Sequence, residues 1–212
     1  MTTAQEKFWQ SDFGAGYIDR NNFSPEQLDE MYRQRYGVSR REMNREFLSD
    51  LAISSVLEVG ANIGNQLVAL ASDWPKWELN GIEINGEAVR EAQARLPKAK
   101  IIQGSAFALP YIDEQFDLVF TSGVLIHIHP DDLPMAMAEI FRVTKKYILG
   151  FEYYAPTLTP ITYRGNQDRL WKNDFADRYQ TLFPNLKLVK EKHYSYRENP
   201  NLTDSMFLLG LG

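Results

Sequence analysis

The alternation of short apolar runs with helical patterns over residues 52–151 constrains the fold of this chain more than any other feature. Strand-like runs lie at residues 55–59, 77–82, 99–103, 116–121 and 147–151. Most of the segments between them have apolar residues at helical spacing. Helical connections between short apolar strands are typical of a parallel sheet that is covered on both faces. The pattern therefore predicts an α/β fold with a mostly parallel, Rossmann-like sheet.

The regions on either side of this alternation have a different character. Residues 1–51 contain no strand pattern, and two serine-initiated capping boxes predict helices there. Towards the other end, residues 186–194 and 202–211 are strand-like and closely spaced, which suits an antiparallel hairpin. We therefore expect a helical N-terminal cap or lid in residues 1–51 and a single domain in residues 52–212.

Composition and charge argue against several classes of site and partner. The 212 residues include no cysteine and three histidines, so we expect no disulfide, no Cys-ligated zinc and no multi-histidine metal site. A formal net charge of −5 is unsuited to a nucleic-acid partner, which requires a basic face. The apolar runs fall far short of the ~18 residues that cross a bilayer, and the first residues lack a secretion signal. We expect a cytoplasmic protein with no membrane partner, and its oligomeric state stays open.

The segment from Val56 to Asn65 has the pattern of a strand, a glycine-containing turn and the start of a helix. Gly60 and Gly64 allow the backbone to turn sharply and allow a ligand to approach where a Cβ atom would clash. The helix that follows presents N–H groups that have no partner within the helix. These features predict a binding turn, with an ordinary tight strand-to-helix connection as the alternative.

Glu83 is the second indication of a ligand. It stands at the end of the next strand, about 20 positions after the turn, where a nucleoside ribose offers its two hydroxyls. Both a dinucleotide and S-adenosylmethionine carry such a ribose. The turn favours S-adenosylmethionine, because a dinucleotide site requires Gly-x-Gly-x-x-Gly and Asn62 replaces the middle glycine here.

At this point the sequence resembles the class I S-adenosylmethionine-dependent methyltransferases. In that class an acidic residue precedes the turn, as Glu58 does here, and Gly60, Asn62 and Gly64 overlay the usual Gly-x-Gly-x-Gly. The signature of its fourth strand is similar to residues 116–120. The resemblance implies a Rossmann-like class I methyltransferase fold that binds S-adenosylmethionine and releases S-adenosylhomocysteine.

Two later segments extend the resemblance to the cofactor contacts. Residues 103–107 follow the third strand, where the class holds the adenine, and Ser105 stands where an aspartate is usual. Residues 121–128 follow the fourth strand and correspond to the loop beside the methionine part and the methyl acceptor. The cofactor contacts that these motifs imply are Glu58, Gly60, Asn62, Gly64, Asn65, Glu83, Ile84, Ser105, Ala106, Phe107, Ser122, Gly123 and Val124.

An aromatic N-terminal segment carries a narrower resemblance. Residues 8–21 and 57–64, together with residues 171–175 and Tyr179, are similar to the methylases associated with pseudaminic acid biosynthesis. This resemblance implies a nonulosonic sugar, or its activated form, as the methyl acceptor. Over a sulfonium, the rings of Trp9 and Tyr17 would gain a cation–π attraction, and Arg20 would pair with the cofactor carboxylate.

Mobility of that N-terminal segment is a further expectation. Gly14 and Gly16 interrupt the aromatic residues, and they are expected to loosen the segment so that it closes over the cofactor as a lid. The alternative is a segment that only packs against the sheet.

Candidate residues for the acceptor side follow the fourth and fifth strands. His127 is the candidate general base, because an imidazole accepts a proton from a hydroxyl near neutral pH. Beyond the fifth strand, the candidates for binding a small-molecule acceptor are Tyr153, Tyr154, Arg164 and Lys172. The alternatives are another small acid or amine as the acceptor, a non-catalytic cofactor-binding module, and a nicotinamide dehydrogenase.

Overall fold

The computed structural model describes residues 2–212, apart from the side chains of Ala15 and Asp19. The chain falls into two compact units, the first ending at Ala106 and the second running from Phe107 to Gly212. The helical N-terminal region thus belongs to the same compact unit as the first three strands. Its expected behaviour as a separate cap or lid stays a prediction.

The first unit contains six helices and three strands among its described residues. They are α1 (Ala4–Trp9), α2 (Asp12–Arg20), α3 (Pro25–Tyr36), α4 (Arg40–Leu48), β1 (Ser55–Val59), α5 (Asn65–Asp73), β2 (Glu78–Glu83), α6 (Gly86–Arg95) and β3 (Lys100–Gln103). β1 pairs in parallel with β2, and β2 pairs in parallel with β3. All three strands therefore end at the same edge of the sheet, which brings the turn after β1 close to Glu83.

The caps of α3 and α4 confirm the sequence-based prediction of helices in residues 1–51. Ser24 and Ser39 each accept a hydrogen bond from the third residue of their helix, and the side chain of that residue bonds back to the serine amide. Gly37 ends α3 in the left-handed conformation, with φ of 80°.

Gly14 has a packing role in the aromatic segment. Gly14 and Gly16 lie inside α2, and a Cβ atom on Gly14 would stand 1.9 Å from the carbonyl oxygen of Trp9. Gly14 is therefore required for the close approach of α2 to the end of α1. The expectation that these glycines loosen the segment stays a prediction.

The second unit contains two helices longer than one turn, six strands and one short 3₁₀ helix. They are β4 (Phe116–Ser122), the 3₁₀ helix (Leu125–His127), α7 (Leu133–Val143), β5 (Thr144–Tyr153), β6 (Thr159–Pro160), β7 (Trp171–Lys172), α8 (Phe175–Leu182), β8 (Leu186–Ser195) and β9 (Thr203–Leu211). β4 and β5 are parallel, whereas β9 pairs antiparallel with both β5 and β8. The predicted C-terminal hairpin is confirmed.

The small antiparallel pair of β6 and β7 was not predicted. It joins two residues on each side, Thr159 opposite Lys172 and Pro160 opposite Trp171. Two-residue strands have no hydrophobic periodicity that a sequence pattern can reveal.

The described residues include neither a membrane-spanning helix nor a cluster of side chains that could bind a metal ion. Within residues 2–212, no helix combines the length and the apolar character needed to span a bilayer. The same part of the chain contains no group of three or more His, Asp or Glu side chains that could hold a metal ion.

Candidate functional site

The turn after β1 is built on three residues in the left-handed region. Gly60, Asn62 and Gly64 have φ values of 77°, 48° and 77°. Asn62 is the non-glycine member, and its side-chain oxygen accepts a hydrogen bond from the Ile63 amide over 2.6 Å. Asparagine tolerates this conformation better than most residues, because its short polar side chain bonds locally. The departure from glycine at position 62 thus leaves the turn intact.

Gly64 packs closely against α6. A Cβ atom on this residue would lie 3.2 Å from Leu96 Cδ1 and 3.5 Å from Ala92 Cβ. Both atoms belong to α6 or its C-terminal cap, so the glycine allows close packing of the start of α5. Packing against α6 is thus one reason for glycine at position 64, and its contact with a cofactor stays a prediction.

Glu83 is held at the end of β2 by backbone amides. Its Oε2 accepts a hydrogen bond from the Asn62 amide over 2.8 Å, and its Oε1 accepts one from the Asn85 amide over 2.9 Å. The side chain is buried, and burial raises the pKa of Glu83, although these hydrogen bonds favour the ionised form. The Ile84 amide also bonds to this carboxylate, so three backbone amides use part of its capacity of about four hydrogen bonds and leave room for a ligand hydroxyl.

Glu58 lies beneath the turn in the core of the first unit. It is 3% exposed, and it accepts a hydrogen bond from the Leu67 amide in the first turn of α5. Burial raises the pKa of Glu58 well above its usual value, an effect that Arg40 opposes and Glu83 reinforces. Its Oε2 has no hydrogen-bond partner among the described residues. Glu58 therefore binds the first turn of α5 through the Leu67 amide. Its expected contact with the cofactor stays a prediction.

Asn65 is engaged by the protein itself. Its side-chain nitrogen donates to the Asn21 carbonyl over 2.6 Å, and its side-chain oxygen accepts from Arg95 over 2.7 Å. Arg95 also donates to the carbonyls of Ile63 and Phe23, at 3.0 Å and 2.6 Å. These bonds tie the N-terminal region to the turn after β1, and a cofactor contact by Asn65 stays a prediction.

The N-terminal helices lie at the ligand edge of the first unit. Ile18 of α2 is buried against Ile63 and Ala88, and Asn85 donates to the Trp9 carbonyl over 3.1 Å. The helices α1 and α2 therefore lie against the turn after β1 and the start of α6.

The predicted aromatic cluster of this segment is present. The rings of Trp9 and Tyr17 meet edge to face at 5.3 Å. The guanidinium of Arg20 stands 5.7 Å from the Phe13 ring centroid and 5.9 Å from that of Tyr17. Arg20 thus faces aromatic rings, and its pairing with a cofactor carboxylate stays a prediction.

The end of β3 brings Ser105 to a carboxylate that sequence reasoning missed. The Ser105 hydroxyl donates to Glu6 Oε1 of α1 over 2.5 Å. Ala106 follows it half-buried, and nearby the half-buried Ile84 accepts a hydrogen bond from the Gln103 side chain. Glu6 and Ser105 are far apart in sequence, so no local pattern signals their contact.

In the second unit, Glu152 holds the turn after β4. Its Oε1 accepts from the Val124 amide over 3.2 Å, its Oε2 from the Ile126 amide over 3.5 Å, and Thr121 also bonds to it. Burial raises the pKa of Glu152 to about 7. Sequence reasoning overlooked this residue, although an acidic side chain at the carboxyl end of an apolar parallel strand was a usable signal.

The turn itself consists of residues with a predicted cofactor role. Gly123 is left-handed, with φ of 67°, and its amide donates to the Phe151 carbonyl over 2.9 Å. Ser122 and Val124 on either side are half-buried, as is Phe107 at the start of this unit. Their contacts with a cofactor stay predictions.

His127 is fixed in one tautomer. Its Nδ1 lies 2.7 Å from the Arg169 carbonyl oxygen, and a carbonyl can only accept, so Nδ1 carries the proton and Nε2 has the lone pair. Burial lowers the pKa of His127 to about 4. The ring is therefore neutral near pH 7 and accepts a hydrogen bond at Nε2, but it is a weaker base than the expected group that titrates near neutral pH.

The segment after β5 lies against the turn after β4, as the sequence predicts. Tyr163 stands 5.0 Å from the His127 ring, and Trp171 stands 5.2 Å from the His129 ring. These contacts join the two parts of the second unit that were expected to face the acceptor.

The four candidate acceptor-binding residues occupy different surroundings. Tyr153 ends β5, and its carbonyl accepts from Asn173, whereas the Tyr154 ring lies 4.0 Å from that of His193. Lys172 is half-buried in β7, and Arg164 is exposed in a tight turn with φ of 48°. An acceptor role for each of the four stays a prediction.

Comparison with known proteins gives similarity over the central part of the chain. Residues 56–147 match the family model described as a methyltransferase domain. An uncharacterized methyltransferase of Schizosaccharomyces pombe is 32% identical over 101 residues, which cover 42% of this chain and 36% of that protein. One from Synechocystis sp. is 33% identical over 101 residues, covering 46% and 47% respectively. The chain thus spans less than half the length of these relatives.

A solved structure extends the similarity to nearly the whole chain. A SAM-dependent methyltransferase from Leishmania major has a TM-score of 0.69 at 16% identity, covering 97% of this chain and 81% of its own. At this level of identity the similarity concerns the fold. The chain has the Rossmann-like fold of the class I S-adenosylmethionine-dependent methyltransferases, with the mostly parallel sheet and antiparallel pair that the sequence predicts.

Proposed function

We propose that this chain is an S-adenosylmethionine-dependent methyltransferase that acts on a small-molecule acceptor. The observation that carries this proposal is the buried Glu83 carboxylate, held by the amides of Asn62 and Asn85 at the end of β2. With the Ile84 amide also bound, the carboxylate keeps acceptor capacity for a ribose hydroxyl. The fold and the methyltransferase-domain match of residues 56–147 support the same reading.

The hydrogen bonds of the turn favour S-adenosylmethionine over a dinucleotide. Glu58 already accepts the Leu67 amide in the first turn of α5. A pyrophosphate would need free amides at this helix start. The sulfonium of S-adenosylmethionine requires no such amides.

The remaining cofactor contacts are proposed from the sequence motifs. In the first unit they are Trp9, Tyr17, Arg20, Asn65, Ile84, Ser105 and Ala106, and in the second they are Phe107, Ser122, Gly123 and Val124. Among the first group, the Trp9 and Tyr17 rings meet within the aromatic cluster, which suits a contact with a cation.

We propose a nonulosonic, pseudaminic-type sugar or its activated form as the acceptor. This proposal rests on the similarity of residues 8–21 and 171–175 to methylases associated with that pathway. Arg164 and Lys172 supply positive charge for a sugar carboxylate or phosphate. Tyr153 and Tyr154 supply flat surfaces and hydroxyls for the ring.

Catalysis would depend mainly on positioning the acceptor oxygen in line with the methyl–sulfur bond. His127 is neutral, with Nε2 as its acceptor atom, and is proposed to take a hydrogen bond and then the proton from the acceptor hydroxyl. Its low pKa makes proton transfer late in the reaction, after the oxygen has begun to bond to the methyl group.

A turnover assay tests the proposed function. The full chain is incubated with S-adenosylmethionine and a panel of nonulosonic acids, their activated forms, small carboxylic acids and amines. Formation of S-adenosylhomocysteine with a sugar acceptor is expected. Turnover with only an amine or simple acid would replace the sugar by the alternative acceptor, and tight cofactor binding without turnover on any acceptor would indicate a non-catalytic module.

A further inference from the structure

The contact between Ser105 and Glu6 joins the end of β3 to the N-terminal helix α1. The Ser105 hydroxyl donates to Glu6 Oε1 over 2.5 Å. The other oxygen of Glu6 accepts from the Thr3 amide over 2.7 Å, as part of the capping box of α1. Two hydrogen bonds therefore fix the direction of this carboxylate, and each of its oxygens has another lone pair.

The position of this carboxylate relative to Glu83 follows from the pairing of β2 with β3. Glu83 stands opposite Gln103, and the Gly104 amide donates to the Glu83 carbonyl over 2.9 Å. Ser105 is the next residue. It therefore begins the loop one strand away from Glu83, and neighbouring strands are about 4.8 Å apart.

When Glu83 binds the ribose of a nucleoside, the base can lie in only a few positions. Ligands of open α/β sheets lie in the crevice beyond the carboxyl ends of the strands. On the side of β2 away from β1, the next strand end is that of β3. Ser105 follows this strand end, and its hydroxyl bonds to Glu6 of α1. A base extending in that direction meets the Glu6 carboxylate.

We propose that Glu6 accepts a hydrogen bond from the 6-amino group of the cofactor's adenine, and that Ser105 directs the carboxylate for this contact. The inference rests on the proposed function, because it assumes a ribose on Glu83. An ionised carboxylate only accepts hydrogen bonds, so it matches an amino group and repels the carbonyl oxygen of a 6-oxopurine. Glu6 is then a specificity-determining residue delivered by the N-terminal segment.

The proposed role gives α1 a part in cofactor recognition. Without α1, Ser105 would be the polar side chain at the end of β3, and a hydroxyl can both donate and accept, so it discriminates weakly between amino and oxo groups. Docking of α1 supplies the missing carboxylate. Cofactor recognition and the order of the N-terminal segment are coupled in this way.

Binding of the cofactor product and of its 6-oxo analogue tests the proposal. The affinities of S-adenosylhomocysteine and S-inosylhomocysteine, which differ in the 6-amino and 6-oxo groups, are measured by calorimetry on the full chain. The wild type is expected to prefer the adenine compound by about tenfold or more, since hydrogen bonds to charged groups are strong. In Glu6→Gln the amide can also donate to the oxo group, so this preference should fall by about tenfold.

Two further variants separate recognition from folding of α1. Ser105→Ala leaves the capping box in place but removes the hydroxyl that directs the carboxylate, and it should lower the preference by a smaller factor. Glu87→Gln removes a charge from the exposed first turn of α6 and should leave the preference unchanged.

The outcomes distinguish this inference from the proposed function. If Glu6→Gln weakens both compounds by the same factor, or neither, Glu6 does not read the base and the inference is overturned while the cofactor site stands. If the wild type binds neither compound, the proposed function fails as well. A preference that falls in Glu6→Gln and stays constant in Glu87→Gln supports the inference.

Discussion

The Glu83 carboxylate accepts a hydrogen bond from the backbone amide of Asn62 over 2.8 Å, which ties the end of β2 to the turn after β1. Asn62 has a left-handed φ of 48°, within the turn that Gly60 and Gly64 also form. The pair thus fixes a carboxylate at the strand ends where a ribose would bind. The turn conformation and the acidic residue are therefore one feature rather than two.

We predict that Gly64→Ala destabilises the protein more than Gly165→Ala. Both glycines are left-handed, with φ of 77° and 80°, so both substitutions carry a backbone cost of about 1–2 kcal/mol. A Cβ atom at position 64 would also press on Leu96 at 3.2 Å, whereas at position 165 it would meet nothing within 4 Å. Urea unfolding of both variants measures the difference. Equal losses would show that packing against α6 does not require this glycine.

We predict that the free energy of unfolding falls as the pH rises towards about 7, because Glu152 loses its proton. Its folded pKa of about 7 lies above its usual value of 4.5, so the folded state binds the proton more tightly. The stabilisation is fully present below pH 4.5 and is lost on the way to neutral pH, by up to about 3 kcal/mol at 1.36 kcal/mol per unit.

Glu152→Gln should remove this slope and lower stability at pH 5, where the folded wild type keeps the neutral carboxyl, because the amide cannot accept all the bonds from the turn after β4. The exposed Glu198→Gln serves as the control and should keep the slope. Thermal melting between pH 5 and pH 8 makes the measurement. If the pH dependence of stability persists in Glu152→Gln, it arises from another titratable group.

We predict that His127→Ala reduces turnover at least a hundredfold with little change in cofactor affinity, the range expected for loss of a general base. Because its pKa is about 4, wild-type activity should show no inflection near pH 6.5. His129→Ala, which loses the ring contact with Trp171 and the hydrogen bond from the Asp131 amide, is the matched control. With the acceptor at saturation, a loss of less than about fivefold would make His127 structural and favour amine methylation or catalysis by positioning alone.

We predict that deletion of residues 1–22 weakens S-adenosylhomocysteine binding while the remaining chain stays folded. The deletion removes the Asn85–Trp9 hydrogen bond, the Ile18 contact with Ile63 and Ala88, and Glu6. In the full chain, added cofactor product should slow proteolysis of this segment. Cleavage that is unchanged at saturating S-adenosylhomocysteine would contradict a lid.

Local patterns in the sequence were sufficient to predict the strands, the turn at residues 60–64 and the position of Glu83 at the end of β2. Each of these features depends on residues that are close together in the chain. The contact of Glu6 with Ser105 was not predictable, since it joins distant segments with no common motif. Glu152 lies on β5, beside the loop after β4, and the motif of that loop carries no information about it. The packing contacts that require glycine at positions 14 and 64 were not predictable either, because only the packed structure shows what a Cβ atom would meet.

The most direct test of the central claim is a calorimetric titration of the wild type, Glu83→Ala and Glu78→Ala with S-adenosylhomocysteine, and of the wild type with NAD. Glu83 is buried at the end of β2, whereas Glu78 is an exposed residue at its start that pairs with Lys100. The account predicts binding of S-adenosylhomocysteine to the wild type, weak or absent NAD binding, a loss of about 1.5–3 kcal/mol in Glu83→Ala and no loss in Glu78→Ala. Equal affinities of the two variants, or tighter binding of NAD than of S-adenosylhomocysteine, would contradict it.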